Sequence, residues 1–229
     1  MTRGDHDRVF PSAAEDVSFS EDVEATPQTR SAAYRLAYAD PDFLEREELR
    51  GVRLQLELTK TELILQEHRI ASTVVVFGSA RAAAGVRAGT DLGRAAAGAR
   101  RLAQIISEHG QTRSGEAREF VVVTGGGGGI MAAANQGAAD VGALSIGMNV
   151  VLPHEQVPNR HITPELCFRF HYFAVRKLHL LLRARAAVFF PGGFGTLDEL
   201  FETLTLLQTH KMAQIPVILF DADFWGRVI

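Results

Sequence analysis

Short apolar segments alternate with longer amphipathic segments along most of the chain after residue 72. The apolar segments predict strands at residues 73–77, 120–123, 143–152, 166–170, 187–190 and 216–220. The amphipathic segments between them predict helices at residues 91–109, 130–139, 173–184 and 197–207. Repeated strand–helix units with continuously apolar strands are typical of a parallel sheet covered on both faces. We therefore predict an α/β fold with a Rossmann-like, doubly wound parallel sheet at residues 71–229.

The first 70 residues have a different pattern. Residues 1–40 are polar and charged with little apolar periodicity, which predicts a disordered tail. Residues 41–70 contain apolar positions at helical spacing, which predicts a helical extension. The alternation from Val52 to Leu58 is also compatible with a strand.

Two glycine-rich turns each join a predicted strand to a predicted helix. The first is the five-glycine turn from Gly125 to Gly129, and the second runs from Pro191 to Thr196. Free N–H groups at a helix start bind anions, and glycines let a phosphate approach the backbone. Each turn could instead be a tight connection, and the five glycines could be a linker. Their placement between strand and helix favours nucleotide binding. The five-glycine turn is not followed by the acidic residue of a Rossmann fingerprint, which would hold a ribose, or by the lysine of a Walker loop.

Two charged residues accompany the second turn. Glu199 falls in the first turn of the following helix, where a carboxylate suits a site that stabilises a cationic sugar carbon. The same carboxylate could also be only a favourable partner of the helix dipole. Arg176 lies in the preceding helix and could hold a phosphate, hold a ribose or ease departure of a base. The sequence leaves these roles of Arg176 open.

Composition narrows the classes of function. The 24 Lys and Arg residues against 27 Asp and Glu residues give a net charge of −3, without a basic field for nucleic acid or membrane. Cys167 is the only cysteine, which rules out an internal disulfide and a thiolate metal cluster. No apolar run approaches the roughly 20 residues of a membrane span. We expect a cytoplasmic protein that acts on a small molecule without a metal.

The motifs together resemble the LOG family. The resemblance rests on Thr124 with its glycines before Ile130-Met131, on the Arg176-Lys177 pair, and on the segment from Pro191 to Glu199. LOG proteins are cytokinin-activating phosphoribohydrolases and related nucleoside monophosphate hydrolases, often mislabelled lysine decarboxylases, and this chain is similar to the longer bacterial members. The resemblance implies cleavage of a nucleotide without a cofactor, by a homodimer or higher homo-oligomer.

The resemblance also implies a set of site residues. Arg176 and Glu199 match the catalytic pair of the family. The implied substrate-binding residues are Gly78, Ser79, Gly126, Gly127, Gly129, Met131, Glu155, Lys177, Gly192, Gly193, Phe194, Gly195, Thr196 and Thr205. The chain stops soon after Trp225, so we expect a final helical segment of the family to lie beyond it.

Two other functions fit parts of the pattern. A non-catalytic nucleotide sensor of the same fold would keep the glycine turns but would gain little from a carboxylate at position 199. A decarboxylase would need a lysine that carries pyridoxal phosphate, and the only His-Lys dipeptide, His210-Lys211, follows a helix without other cofactor contacts. We therefore predict hydrolysis of a purine ribonucleoside 5′-monophosphate, or its N6-modified cytokinin form, to free base and ribose 5-phosphate.

Overall fold

The computed structural model describes residues 10–21, 23–81, 90–110, 117–153 and 157–229. The chain divides into two compact units, the second of which begins at Glu57. That boundary falls within a helix, before residue 71 at which the sequence places the start of the α/β domain. Among the described helices, none is both long and apolar enough to cross a membrane.

The first unit contains short helices where the sequence predicts a disordered tail. Helix α1 (Ala13–Glu21) begins with a capping box, because the Glu15 N–H bonds to the Ser12 hydroxyl and the Ser12 N–H bonds to the Glu15 carboxylate. Helix α2 (Pro41–Leu44) is capped by the Asp40 side chain, which accepts from the Phe43 N–H. Local capping therefore produces helical turns in a segment with little apolar periodicity.

Helix α3 (Arg50–Glu67) resolves the ambiguity between helix and strand at residues 52–58 in favour of a helix. Its buried side chains are Thr61 and Leu65, four residues apart and hence on one face. The exposed leucines of the same segment account for the alternation that also suggests a strand.

The second unit is built on six parallel strands in the order β4-β3-β2-β1-β5-β6. The strands are β1 (Thr73–Phe77), β2 (Val121–Thr124), β3 (Ser145–Val150), β4 (Cys167–Phe170), β5 (Ala184–Phe189) and β6 (Val217–Leu219). The helices of this unit, after α3, are α4 (Asp91–Gly110), α5 (Ile130–Asp140), α6 (Phe173–Leu182), α7 (Phe194–Gln208) and α8 (Ala222–Trp225). The predicted parallel α/β sheet is confirmed.

The strand order reverses beside β1. The chain proceeds outward from β1 through β2, β3 and β4, and then returns to place β5 and β6 on the other side. Strands β1 and β5 pair in parallel, with Phe77 opposite Phe189 and their rings stacked at 4.8 Å. Ligands of such sheets bind beyond the carboxyl ends of the strands at a reversal of this kind.

Small side chains let α4 and α5 approach each other closely on one face of the sheet. Ala95, Ala99 and Ala103 of α4 are fully buried, and a Cβ on Gly137 of α5 would overlap the Arg100 carbonyl. The two helices share a core with the central valines of β1 and β2. This close packing fixes α5, and with it the end of the five-glycine turn.

Candidate active site

A cleft of about 650 Å³ opens beyond the carboxyl ends of β1 and β5, at the reversal of strand order. It is lined by the turn after β1, the end of β3 and the starts of α5, α6 and α7. The sequence-predicted residues that line it are Gly78, Ser79, Met131, Arg176, Gly193, Phe194, Gly195, Thr196 and Glu199. The structure thus brings both predicted catalytic residues to one cleft.

Arg176 and Glu199 form an ion pair in this cleft. The Nη1 atom of Arg176 donates to Oε1 of Glu199 at 3.0 Å, and the two side chains are only 11% and 14% exposed. The Nε atom of Arg176 also donates to the Met148 carbonyl at 2.7 Å. Arg176 therefore bridges β3 and α7, and its guanidinium holds the Glu199 carboxylate in one place.

Two opposing effects act on the pKa of Glu199. Burial raises this pKa, because a carboxylate removed from water is less stable in its charged form. The positive charge and the hydrogen bond of Arg176 lower it, but the effect of burial is larger and the net shift is upward. Raised pKa values of this kind are characteristic of carboxyl groups at functional sites.

The turn between β5 and α7 leaves open space at the start of a helix. Helix α7 begins at Phe194, earlier than the predicted residue 197, because the N–H groups of Thr196 and Leu197 both bond to the Gly193 carbonyl. Within the described residues no side chain caps this start. A Cβ added at Gly193 or Gly195 would meet no described atom within 4 Å.

Gly192 in the same turn has a different reason to be glycine. It does not line the cleft, and a Cβ there would overlap the Thr196 hydroxyl. The N–H of Ser79 bonds to the Pro191 carbonyl at 3.1 Å and so joins the turn after β1 to the turn after β5.

The five-glycine turn after β2 is packed against its neighbours. A Cβ on Gly125 would stand 2.5 Å from Nη2 of Arg176, and one on Gly126 would overlap the Asn149 amide. Gly129 has a φ of +63°, and a Cβ there would overlap the Ser79 carbonyl oxygen. The first N–H of α5 is taken by the Ser79 carbonyl at 3.0 Å. The predicted residues Gly126, Gly127 and Gly129 are therefore not among the residues that line the cleft.

A buried amide network holds the five-glycine turn from below. The Nδ2 atom of Asn159 lies 3.1 Å from the Gly126 carbonyl and 3.0 Å from the Gly127 carbonyl. It also contacts Oδ1 of Asn135, which in turn accepts from the Thr124 hydroxyl. The sequence analysis missed this network, because its members are distant along the chain and belong to no recognised motif.

Three further predicted substrate-binding residues are not among the described residues that line the cleft. Lys177 pairs with Asp198 at 2.7 Å and with Glu202 at 3.1 Å, and it lines a separate groove between α6 and α7. Thr205 lies farther along α7, where its hydroxyl donates to the Phe201 carbonyl. Glu155 lies outside the described residues.

The cleft also contains residues that the sequence analysis did not include. Arg81 lines it with an exposed side chain that makes no hydrogen bond or ion pair within the described part of the chain. Val150, Leu152 and Phe173 add apolar surface. Among the described residues, no group of three His, Cys, Asp or Glu side chains is placed to hold a metal ion.

Comparison with known proteins gives a family match to the part of the chain that contains Arg176 and Glu199. Residues 131–229 match the family described as "Possible lysine decarboxylase". A search of curated proteins found no significant match to the chain.

Two solved structures have a distant likeness to this chain. The X-ray structure of TM1055, a structural genomics target, has 17% identity and a TM-score of 0.47, and the match covers 69% of this chain and 97% of that one. The structure of the Moco carrier protein from Chlamydomonas reinhardtii has 22% identity and a TM-score of 0.43, over 65% of this chain and 75% of that one. Neither likeness is close enough to indicate a function.

Proposed function

We propose that this chain, whose residues 131–229 match the family described as possible lysine decarboxylases, is a nucleoside 5′-monophosphate phosphoribohydrolase of the LOG type. Its reaction cleaves the N-glycosidic bond of a purine nucleotide to give free base and ribose 5-phosphate. The observation that supports this most is the Arg176–Glu199 pair, which lies in a cleft that also includes the uncapped start of α7.

The phosphate binds at the start of α7. The first N–H groups of a helix lack intrahelical partners and carry partial positive charge, which favours a bound anion. Gly193 and Gly195 leave the space that a phosphate needs, and Arg81 supplies a cation that no described side chain neutralises. By contrast, the first N–H of α5 is already bonded to Ser79.

Glu199 acts on the sugar. Water adds to C1′ of the ribose while the bond from C1′ to the base nitrogen breaks, and the base leaves with the electron pair and takes up a proton. Positive charge develops on C1′ in the transition state, as in glycoside cleavage. The Glu199 carboxylate stabilises this charge and orients or deprotonates the attacking water.

Arg176 positions Glu199. The bond from Arg176 to the Met148 carbonyl fixes the guanidinium, and the bond from the guanidinium to Oε1 fixes the carboxylate. The charge of Arg176 also lowers the pKa of Glu199 and so keeps more of it ionised than burial alone would allow. These contacts favour positioning over a direct grip on the phosphate.

The cleft does not fit pyridoxal phosphate, the cofactor that a lysine decarboxylase would use. Such an enzyme binds its cofactor through a lysine, and none of the described residues that line the cleft is a lysine. Lys177 pairs with Asp198 and Glu202, and Lys211 lies with it in the separate groove between α6 and α7.

The test is direct product analysis. Incubation with AMP, and with an N6-prenylated AMP, is expected to release free base and ribose 5-phosphate that chromatography separates. The Glu199→Gln variant keeps the size of the side chain but removes its charge, so kcat should fall by roughly 10³-fold. Glu202→Gln is the matched control on the same helix, outside the cleft, and should keep most of the activity. Intact nucleotide with every monophosphate tried would leave a nucleotide sensor as the function.

A further inference from the structure

The cleft has an apolar end whose residues have no role in the proposed reaction. Phe194 is 92% exposed and Phe173 is 51% exposed, and both line the cleft. Each is the first residue of its helix, α7 and α6 respectively. Val150, the last residue of β3, and Leu152 also line the cleft.

Folding of the second unit does not explain an exposed phenylalanine at position 194. A buried aromatic ring contributes hydrophobic stabilisation, whereas Phe194 leaves most of its ring in water. The first position of a helix also has no requirement for an aromatic residue, since polar side chains and proline are preferred at helix starts. Apolar surface that lines a cleft beside charged groups is characteristic of a ligand site.

The catalytic pair adjoins this apolar end. The guanidinium carbon of Arg176 lies 6.0 Å from the centre of the Phe173 ring, and the same guanidinium holds Glu199. Gly193 and Gly195 lie next to Phe194 in sequence at the start of α7. A ligand that fills the cleft therefore meets anion-binding backbone, a carboxylate and aromatic rings within one cavity of about 650 Å³.

We propose that Phe194, with Phe173, packs against the flat face of the purine base. Through this contact Phe194 makes the site bind a nucleotide more tightly than ribose 5-phosphate without a base. This inference rests on the proposed function, because it names the part of the nucleotide that the apolar end receives. Aromatic rings stack on any base through its π face, so this contact recognises the presence of a purine and not its hydrogen-bonding edge.

The experiment compares a ligand that has a base with one that lacks it. Removal of the ring in Phe194→Ala should raise KM for AMP about tenfold or more, while the inhibition constant of ribose 5-phosphate changes by less than about twofold, because that ligand does not reach the ring. Phe194→Tyr keeps the ring and should restore AMP binding. Phe201→Ala removes another exposed ring of α7, outside the cleft, and should leave both constants unchanged.

Failure of the proposed function can be recognised separately. If the protein does not cleave AMP, the same variants are titrated with intact AMP and with ribose 5-phosphate by calorimetry. Selective loss of AMP affinity in Phe194→Ala then supports the base contact without the hydrolysis. Equal effects on both ligands overturn the base contact even where AMP is cleaved. A change in sedimentation of Phe194→Ala without any change in AMP binding assigns the ring to a contact between copies of the chain and overturns it too.

Discussion

At the scale of single residues, Glu199 shows how its surroundings set the pH dependence of the proposed reaction. Only the ionised carboxylate stabilises a cationic sugar, so the rate should rise with pH as Glu199 loses its proton. Burial raises the pKa of Glu199 above its ordinary value, and we therefore expect the acid limb of kcat/KM to lie at higher pH than an exposed glutamate would give. A profile of kcat/KM for AMP against pH measures this limb.

The Arg176→Gln variant sharpens that measurement. Loss of the guanidinium removes a charge and a hydrogen bond that lower the pKa of Glu199, so the acid limb should move to still higher pH. If Arg176 only bound the phosphate, the variant would have a higher KM for AMP and an unchanged acid limb. An acid limb that lies at the ordinary pKa of a glutamate in the wild type, or that stays in place in the variant, would contradict the assignment.

The presence of Arg176 and Glu199 in one cleft could be predicted from the sequence because the signals are local. Glu199 stands at a fixed distance from its glycine turn, and Arg176 belongs to a recognisable pair of basic residues. Asn159 could not be predicted in this way, because it meets the five-glycine turn only when distant segments of the chain come together. Arg81 follows Ser79 by two residues, so its position in the cleft has a local signal. Lys177 is the opposite case, since adjacent helical positions point in different directions and only Arg176 of the pair lines the cleft.

At the scale of elements, the two glycine turns have similar sequences and different surroundings. The turn before α7 faces open space at Gly193 and Gly195, whereas the turn before α5 is filled by Ser79, Asn149 and Arg176. The sequence alone cannot distinguish a turn that faces open space from a turn packed against its neighbours, because glycine lacks a Cβ in both. In one turn the space admits a ligand, and in the other it admits the protein's own side chains.

Gly125→Ala tests the packed turn. A Cβ there would stand 2.5 Å from Nη2 of Arg176 and 3.0 Å from Sδ of Met131. Both atoms end flexible side chains that can move aside, so the variant should still fold, although loss of the buried Arg176 contacts should lower its melting temperature. The displaced guanidinium would no longer hold Glu199 in place, and a shift of about 1 Å can lower turnover by up to about 10²-fold. We expect a clear loss of kcat for AMP.

Gly128→Ala is the matched control in the same turn. The nearest atom to a Cβ at Gly128 is the Ala80 carbonyl oxygen at 3.4 Å, which is an ordinary contact distance. This variant should therefore keep most of the wild-type turnover. Equal turnover in the two alanine variants would show that the contact between Gly125 and Arg176 does not matter for the reaction.

At the scale of the molecule, the sheet was the most predictable feature. Continuous apolar strands separated by amphipathic helices indicate a parallel α/β sheet, and the observed strand order places both turns after β1 and β5 at one edge. The small helices of the first unit were less predictable, because they depend on caps such as Ser12 with Glu15 and not on an apolar face. That signal is nevertheless visible in the sequence as a serine followed by glutamate three residues later.

The groove between α6 and α7 predicts how copies of the chain associate. Leu178 and Leu182 are 48% and 51% exposed, and they line an apolar groove of about 460 Å³ with Leu206 and Met212. Leucines four residues apart on one helix form a stripe that a second copy can cover. We expect a homodimer or higher homo-oligomer, and we expect Leu178→Glu to shift it toward monomer in sedimentation velocity at micromolar concentration.

Ile105→Glu is the matched control, since Ile105 is similarly exposed on α4 but lies outside the groove. A charge placed on a covered stripe weakens association, whereas a charge placed on a solvated helix face does not. A wild-type monomer, or equal dissociation of both variants, would therefore contradict this use of the groove.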